Sequence, residues 1–568
     1  MAARSPAGPL APRLRRLLTG TFGLTALRDG QRAVIERVLA GGHTLAVMPT
    51  GAGKSLCYQL PALAMAGRAV VVSPLIALMK DQCDKLRELG IAAVQVHSAV
   101  PADELTGALA QVADGRASFV FVTPERLADA GFLALLKQQP TRLLVVDEAH
   151  CIAQWGHDFR PAFLELGAAR ASLGRPTVLA LTATASPSTV DDVCRLLGIP
   201  RDGVLSTGTW RENLHYRVDH VGDEAGKLAR LIAHVQAAPG SGLVYTATVK
   251  AAEAVSHALA VAGESVGCYH GRLPAAERHA VQEAFMAGAV RVVVATNAFG
   301  LGIDKPDTRF VLHYQMPGSL DAYYQESGRA GRDGGPADCT LLFLRGDQAV
   351  QQFFLAGRYP SAAELEAIYQ ALHHLPAESP GWTVETLAAA LQRPRPKVRA
   401  VVSLLKNGKA LAADRAGHLR LLRPGLVADE LVQLHAMYVR KREQGRDTLE
   451  RMVAYALTGQ CRWRALLDHF GEPAPFERCG TCDNCLRMDA YAGPAAADPP
   501  AEAALAPAVV FKPGTRVRVR RYGEGTVVAA DAGSVTVAFA EGEARSFLPD
   551  FVKAARARRP VKAVPTAA

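Results

Sequence analysis

Apolar and polar positions along this 568-residue chain fall into three regimes. Through the first 345 residues, short unbroken apolar runs recur at Thr44–Val47, Ala69–Val72, Phe119–Val122, Leu143–Val146 and Thr177–Ala180. Each run is followed by a longer stretch of helical character. Such runs read as strands buried on both faces, and their alternation with helices predicts parallel sheets covered on both sides. A second strand–helix series opens at Gly240 and continues through Val292–Thr296, so the pattern predicts two α/β domains. Ligands of such sheets collect at the carboxyl ends of the strands. A helical regime follows. Ala362–Leu375, Thr383–Leu391 and Pro396–Lys406 read as short helices, residues 410–422 as a two-stranded ribbon turning at Ala416-Gly417, and Leu426–Gly459 as a helical pair. After an Ala/Pro-rich linker the pattern alternates with period two. Thr515–Arg520, Thr526–Ala530, Val535–Phe539 and Ala544–Phe547 read as strands of a small antiparallel barrel.

Charge and cysteine usage refine this outline. The net charge is +10, and nine of those charges sit in acid-free ends: Arg4, Arg13, Arg15 and Arg16, and Lys553, Arg556, Arg558, Arg559 and Lys562. The excess therefore does not mark a groove in the body. It suits basic tails that add salt-sensitive phosphate contacts or simply aid solubility. No apolar run reaches about 18 residues, so no membrane span is expected. Six of the ten cysteines are dispersed, which fits a reducing cytoplasm and not a disulfide framework. The other four are Cys461, Cys479, Cys482 and Cys485. Four thiolates at this spacing suit a closed tetrahedral structural zinc site, with an iron–sulfur cluster open on the ligands alone.

The chemistry centres on Met48-Pro49-Thr50-Gly51-Ala52-Gly53-Lys54-Ser55, between a strand and a helix. Backbone N–H groups of such a turn cradle phosphate, Lys54 reaches the β- and γ-phosphates, and the Ser55 hydroxyl holds Mg²⁺. The run Leu143–Val146 ends in Asp147 and Glu148. Asp147 can hold the same Mg²⁺, and Glu148 can deprotonate an attacking water. That is the division of labour phosphoryl transfer needs. Just upstream, Arg28 could stack on a purine and Gln31 could bond its edge.

With Leu181-Thr-Ala-Thr-Ala185 added, the chain resembles a superfamily-two helicase. Ala149-His-Cys-Ile-Ala-Gln-Trp-Gly-His-Asp-Phe-Arg-Pro161 resembles the aromatic-rich loop of RecQ helicases. Trp155 and Phe159 offer π-faces to unstacked bases, with His157 and Arg160 beside them. The resemblance implies two RecA-like domains at 12–210 and 211–345, with ATP between them. In Val292–Lys305, Gly300 and Gly302 permit a close turn at the nucleotide, and Asp304 can help sense it. From Tyr324–Gly334 the resemblance assigns Gln325, Arg329 and Arg332 to the cleft, with Arg332 as arginine finger. A spacing of three would put both guanidinia on one helix face. Where RecQ proteins commonly place an aromatic to sandwich adenine, this chain has Leu24.

Residues 361–423 read as a winged-helix-like domain, or as a helical insert, with Arg393, Arg395, Lys397, Arg399 and Lys406 on a DNA face. Residues 424–490 resemble the RecQ zinc module, which favours zinc. Residues 511–554 are similar to SH3/Tudor-like modules that bind a protein or nucleic acid. A disordered tail at 1–11, the linker 491–510 and a basic tail at 555–568 complete the plan. The expected function is ATP- and Mg²⁺-dependent 3′→5′ unwinding of single-stranded and forked DNA in repair, recombination or replication. It would be carried out by a monomer or weak oligomer near the bacterial nucleoid. The rivals are a translocase that does not separate strands and a non-catalytic nucleic-acid scaffold.

Overall fold

The computed structural model describes residues 10–65, 67–152, 161–299, 305–358, 360–374, 381–408, 410–414, 417–426, 428–491, 511–519, 523–530, 535–539, 544–547 and 552–555. The chain divides into two compact units, 1–491 and 492–568.

In the first lobe of the larger unit, seven strands form one sheet: β1 (Thr44–Val47), β2 (Arg68–Val72), β3 (Ala93–Val96), β4 (Phe119–Val122), β5 (Thr141–Val146), β6 (Thr177–Thr182) and β7 (Val204–Ser206). Their order is β3-β4-β2-β5-β6-β1-β7, and every pairing is parallel. Alternate side chains point to opposite faces. Val70, Val72, Val120, Val122, Leu144 and Val146 enter one core, and Ala69, Val71, Phe119, Phe121, Leu143 and Val145 enter the other. Burial on both faces is why these strands read as unbroken apolar runs.

The second lobe repeats the plan with β8 (Leu214–His220), β9 (Ser241–Tyr245), β10 (Val266–Tyr269), β11 (Val292–Ala295), β12 (Thr308–His313) and β13 (Ala337–Phe343). The order is β10-β11-β9-β12-β13-β8, again all parallel. One face closes on Val244, Val292, Val294, Phe310 and Leu312. The core on the other face runs on into Leu449, Met452, Tyr455, Trp463, Leu466, Leu467 and Phe470 of the cysteine-bearing segment.

Leu426–Gly459, expected as a helical pair, is instead one helix, Ala428–Leu457, that runs through Gly445. An interior glycine costs only about 1 kcal/mol. Packing at both ends outweighs it: Leu431 is buried in the core of the preceding segment, and Met452 and Tyr455 in that of the second lobe.

That preceding segment has helices Ala362–Ala371, Val384–Ala390 and Arg395–Asn407 and the antiparallel pair β14 (Leu411–Ala413) and β15 (Leu419–Leu421). Trp382 forms an additional bridge to Leu419. Three of the five expected DNA-facing cations are engaged within the segment: Glu364 pairs with Lys397 at 2.8 Å and Arg393 at 3.7 Å, and Glu385 with Arg399 at 3.9 Å.

The smaller unit is a five-stranded antiparallel sheet: β16 (Arg516–Val519), β17 (Gly523–Ala530), β18 (Val535–Phe539), β19 (Arg545–Phe547) and β20 (Val552–Ala554), in the order β19-β18-β17-β16-β20. The fifth strand, unexpected from the sequence, pairs with β16 and adds Val552 to the core. Among the described residues β19 and β20 do not pair with each other, so the sheet is not a closed barrel there. No helix among the described residues is long and apolar enough to cross a membrane.

Candidate active site and zinc centre

The phosphate loop follows β1. Met48 N–H donates to Thr182 O at 3.0 Å, which carries the sheet register into the loop. Gly51 (φ +87°) and Gly53 (φ +76°) take left-handed backbone that a side chain would strain. A Cβ on Gly53 would also lie 2.5 Å from Gln31 Nε2. Gln31 is buried and donates to the carbonyls of Ala52 (3.1 Å) and Gly53 (3.0 Å), while its own amide oxygen accepts from Arg28 N at 2.7 Å. The Arg28 guanidinium donates to Gly51 O. The two residues expected to meet a purine thus hold the loop itself in this structure. Leu24 is 43% exposed. Ser55 immediately precedes the helix Leu56–Ala64.

Lys54 Nζ donates to Met48 O at 3.3 Å. Burial lowers its pKa, and Arg332 adds to that effect, while Glu148 and Asp147 oppose it. Asp147 lies at the carboxyl end of β5, with its N–H on Val72 O at 2.9 Å. Its carboxyl is pushed up by burial and by the charge of Glu148. Burial alone would raise Glu148 too, but His150, Lys54 and Arg329 outweigh it and hold that carboxyl below its usual range. Opposite shifts of two neighbouring buried carboxyls are what their mutual repulsion and unequal access to cations produce. Glu148 also sits at φ +50°, which is rare for a residue with a side chain.

Sequence reasoning overlooked His150 and Thr182 as site residues. His150 Nδ1 lies 3.3 Å from Glu148 Oε2 and 3.0 Å from Thr182 Oγ1. Thr182 Oγ1 donates its one hydrogen to Thr184 O at 2.8 Å, so it accepts from His150 Nδ1–H. Both residues lay inside the recognised motifs, but their pairing across β5 and β6 is a product of sheet order.

The second lobe supplies the cations. Arg329 and Arg332 do not share a helix face as expected. The helix Leu320–Ser327, which carries half-buried Gln325, ends before them, and both stand in the turn that follows. This turn approaches the phosphate loop. A Cβ on Gly51 would meet Arg332 Cγ at 3.7 Å, and one on Gly328 would meet Thr50 Oγ1 at 3.8 Å. Arg329 is buried, and its Nε has no hydrogen-bond partner. Its charge helps hold the Glu148 carboxyl down, and a second-lobe cation beside that acid suits a polyphosphate site. Trp155, His157, Phe159, Arg160, Gly302 and Asp304 lie outside the described residues.

The sulfurs of Cys461, Cys479, Cys482 and Cys485 all lie within 4.8 Å of one another, with Cys479 and Cys485 3.9 Å apart. Tetrahedral zinc with bonds of about 2.3 Å needs sulfurs roughly 3.8 Å apart. Backbone N–H groups of Arg462 and Cys485 point at Cys482 Sγ, and that of Cys479 at Cys461 Sγ. Such donors stabilise thiolate ligands. The four cysteines therefore fit zinc. Arg462, between the ligands, makes a bidentate pair with Asp483 at 2.9 and 3.0 Å, and Asp483 also accepts from Val218 N of β8 at 3.2 Å. Trp463 Nε1 donates to Leu214 O at 2.9 Å. Glu472 accepts from Ser206 Oγ (3.0 Å), Thr209 N (2.7 Å) and Thr209 Oγ1 (2.9 Å), all on the segment joining the lobes. Glu472 closes the stretch Cys461–Glu472 that resembles the RecQ zinc module, but nothing local marked its contact with the connector.

Three family models match this chain: DEAD/DEAH box helicase over residues 28–193, helicase conserved C-terminal domain over 226–334, and RecQ zinc-binding over 428–486. The ATP-dependent DNA helicase RecQ of Bacillus subtilis (strain 168) is 42% identical over 351 residues, an alignment covering 60% of this chain and 58% of that protein. The ATP-dependent DNA helicase RecQ of Synechocystis sp. is 35% identical over 495 residues, covering 83% of this chain and 98% of that protein. Among solved structures, Mss116p bound to ssRNA and AMP-PNP superposes with a TM-score of 0.51 at 16% identity, over 76% of this chain and 90% of that one, a likeness of fold alone. Two helicase lobes, a four-cysteine module docked on the second of them, and a relative matched over nearly its whole length agree: the chain belongs to the RecQ family of ATP-dependent DNA helicases.

Proposed function

We propose that this chain hydrolyses ATP between its two lobes and uses the cycle to move along single-stranded DNA with 3′→5′ polarity, separating forked duplexes as it goes. The observation that carries the reading is the approach of the arginine turn of one lobe to the phosphate loop of the other. Backbone N–H groups over Thr50, Gly51, Ala52 and Gly53, with Lys54, cradle the phosphates. Arg28 and Gln31 exchange their loop carbonyls for the base, with Gly302 and Asp304 sensing the bound nucleotide. Ser55 and Asp147 would hold Mg²⁺, which neutralises charge on the transferred phosphoryl group. Glu148, kept ionised beside His150, takes the proton of the attacking water. Arg332 meets charge developing on the phosphoryl group, and Arg329 and Gln325 support that contact. Trp155, Phe159, His157 and Arg160 receive DNA bases and report to Glu148, which is close in sequence.

The same proposal assigns 12–210 and 211–345 to the motor domains, 361–423 to a winged-helix-like DNA contact and 424–490 to the zinc module. It assigns the sheet at 511–554 to a protein or nucleic-acid partner. It also includes a monomer or weak oligomer acting in the bacterial cytoplasm at the nucleoid, in keeping with the free thiols of the described cysteines.

The test is ATP hydrolysis with and without single-stranded DNA, followed by strand displacement from 3′-tailed and 5′-tailed duplexes. DNA-stimulated hydrolysis with displacement only from the 3′ tail is expected. Stimulation with no displacement from either tail would replace the helicase with a translocase.

A further inference from the structure

The turn that carries Arg329 and Arg332 is not regular structure, so something else must fix it. Two side chains at the start of the second lobe do so. Arg211 donates to the carbonyls of Gly328 (2.8 Å), Ala330 (2.8 Å) and Gly331 (2.5 Å). Asn213 Nδ2 donates to those of Gly331 and Gly335, both at 2.7 Å. The turn closes so tightly on this cradle that a Cβ on Gly331 would lie 2.4 Å from Asn213 Nδ2, and Gly331 is itself left-handed (φ +54°). Five hydrogen bonds thus bind four carbonyls of one short turn, and three come from a single guanidinium. Those three leave from two nitrogens of a planar fork, a spread that the single ammonium nitrogen of lysine cannot copy.

The place of the cradle in the chain matters as much as its geometry. Arg211 and Asn213 lie on the segment that joins β7 of the first lobe to β8 of the second. The two residues that precede Arg211 are also held. Thr209 is bonded to Glu472 of the cysteine module through its N–H and its hydroxyl, and its carbonyl accepts from Tyr324 OH. Trp210 stacks at a tilt on Phe476, with ring centroids 5.1 Å apart. The connector is therefore anchored on one side by the module and bonded on the other to the arginine turn.

We propose that Arg211 and Asn213 are positioning residues for phosphoryl transfer: they hold the Arg329–Arg332 turn at the distance and angle at which it meets the phosphoryl group, and they tie that placement to the interlobe connector. This rests on the reading of Arg332 as the arginine that acts on the transferred group. A misplacement of about 1 Å in such a contact costs roughly 10²-fold in rate.

The experiment compares Arg211→Lys, Asn213→Ala, Arg332→Gln and the double variant Arg211→Lys/Arg332→Gln in the full-length zinc-loaded chain. Four readouts are taken: melting temperature, affinity for a non-hydrolysable ATP analogue, kcat of DNA-stimulated hydrolysis, and affinity for ADP with aluminium fluoride. Arg211→Lys and Asn213→Ala are each expected to lower kcat by about 10- to 100-fold. Each should weaken the aluminium fluoride complex by a similar factor while leaving analogue affinity within about twofold. The double variant should lose clearly less than the product of the two single losses, because with Arg332 gone the cradle positions only the supporting Arg329. Losses that multiply in the double variant, or an unchanged kcat in the single cradle variants, overturn the proposal. Near-normal kcat in Arg332→Gln overturns instead the arginine assignment it stands on. If Arg211→Lys melts lower through misfolding, Asn213→Ala, which keeps all three Arg211 bonds, carries the same comparison.

Discussion

The two lobes are built by the same grammar of parallel strands and covering helices, yet they are completed differently. Both cores of the first lobe are drawn from its own segment, between Phe22 and Leu205. The second lobe owns one of its cores, but the other is shared with residues 449–485, including the zinc-site sulfurs of Cys461, Cys482 and Cys485. Its edge strand β8 is held by Trp463 and Asp483 of that module. The lobe that brings the phosphate loop is thus self-sufficient, and the lobe that brings the arginines is finished by a metal-organised segment. An edge strand left open is a liability in a parallel sheet, and here the cysteine module covers it.

Breaking the metal site should break this symmetry most. Structural zinc contributes on the order of 10–16 kcal/mol to isolated zinc-finger peptides, and a shared core passes part of that on. In Cys482→Ser, elemental analysis should find zinc lost. Amide exchange should then show β8 and the helix Arg462–Phe470 deprotected while β1, β2 and β5 keep their protection. Uniform deprotection of both lobes would refute the asymmetry, and retained zinc would remove Cys482 from the ligand set.

Trp463→Ala probes the same seam without touching a ligand. Removing a fully buried tryptophan costs about 3–5 kcal/mol and also strands the carbonyl of Leu214. Denaturant unfolding should become biphasic, with the second lobe melting first. A single transition shifted as a whole would mean that the two lobes stand or fall together.

A change in the first lobe should have the opposite character, chemical and not structural. Glu148→Gln keeps the shape of the side chain and removes the base. Hydrolysis should fall by about 10²- to 10⁴-fold, while ATP binding and melting temperature stay near those of the parent. Normal turnover in this variant would refute the base assignment.

The smallest effect sharpens the comparison at the nucleotide. Leu24 is exposed where an aromatic would stack on adenine. Leu24→Phe should tighten ATP binding by a few fold, since aromatic stacking contributes about 0.5–1.5 kcal/mol. An unchanged KM would mean that the base is not held there.

Much of this was legible from residues alone. The strands β1 and β4 fall where the apolar runs placed them, because burial on both faces leaves a local mark, and β18 falls where the period-two alternation placed it. The phosphate loop, the paired carboxylates and the four cysteines are compact in sequence, so their chemistry shows without a fold. Where local rules misled, a distant partner had decided the matter. Spacing suggested that Arg329 and Arg332 share a helix, but the helix stops at Ser327 and the turn is set by Arg211 and Asn213, more than a hundred positions earlier. Residues 426–459 read as a helical pair, but two separate cores keep one helix whole through Gly445. The strand Val552–Ala554 is too short to announce itself and exists by pairing with β16.

The sequence by itself determined the strand–helix grammar of the two lobes, the phosphate-binding loop, the acidic strand end and the thiolate set, since each depends on neighbours within a few residues. Only the tertiary structure decided that the cysteine module completes the second lobe, that Glu472 grips the connector and that Arg211 and Asn213 shape the arginine turn. Those are contacts between residues 117 to 266 positions apart, and nothing in a local pattern encodes which distant carbonyl or hydroxyl a side chain will meet once the sheets have packed.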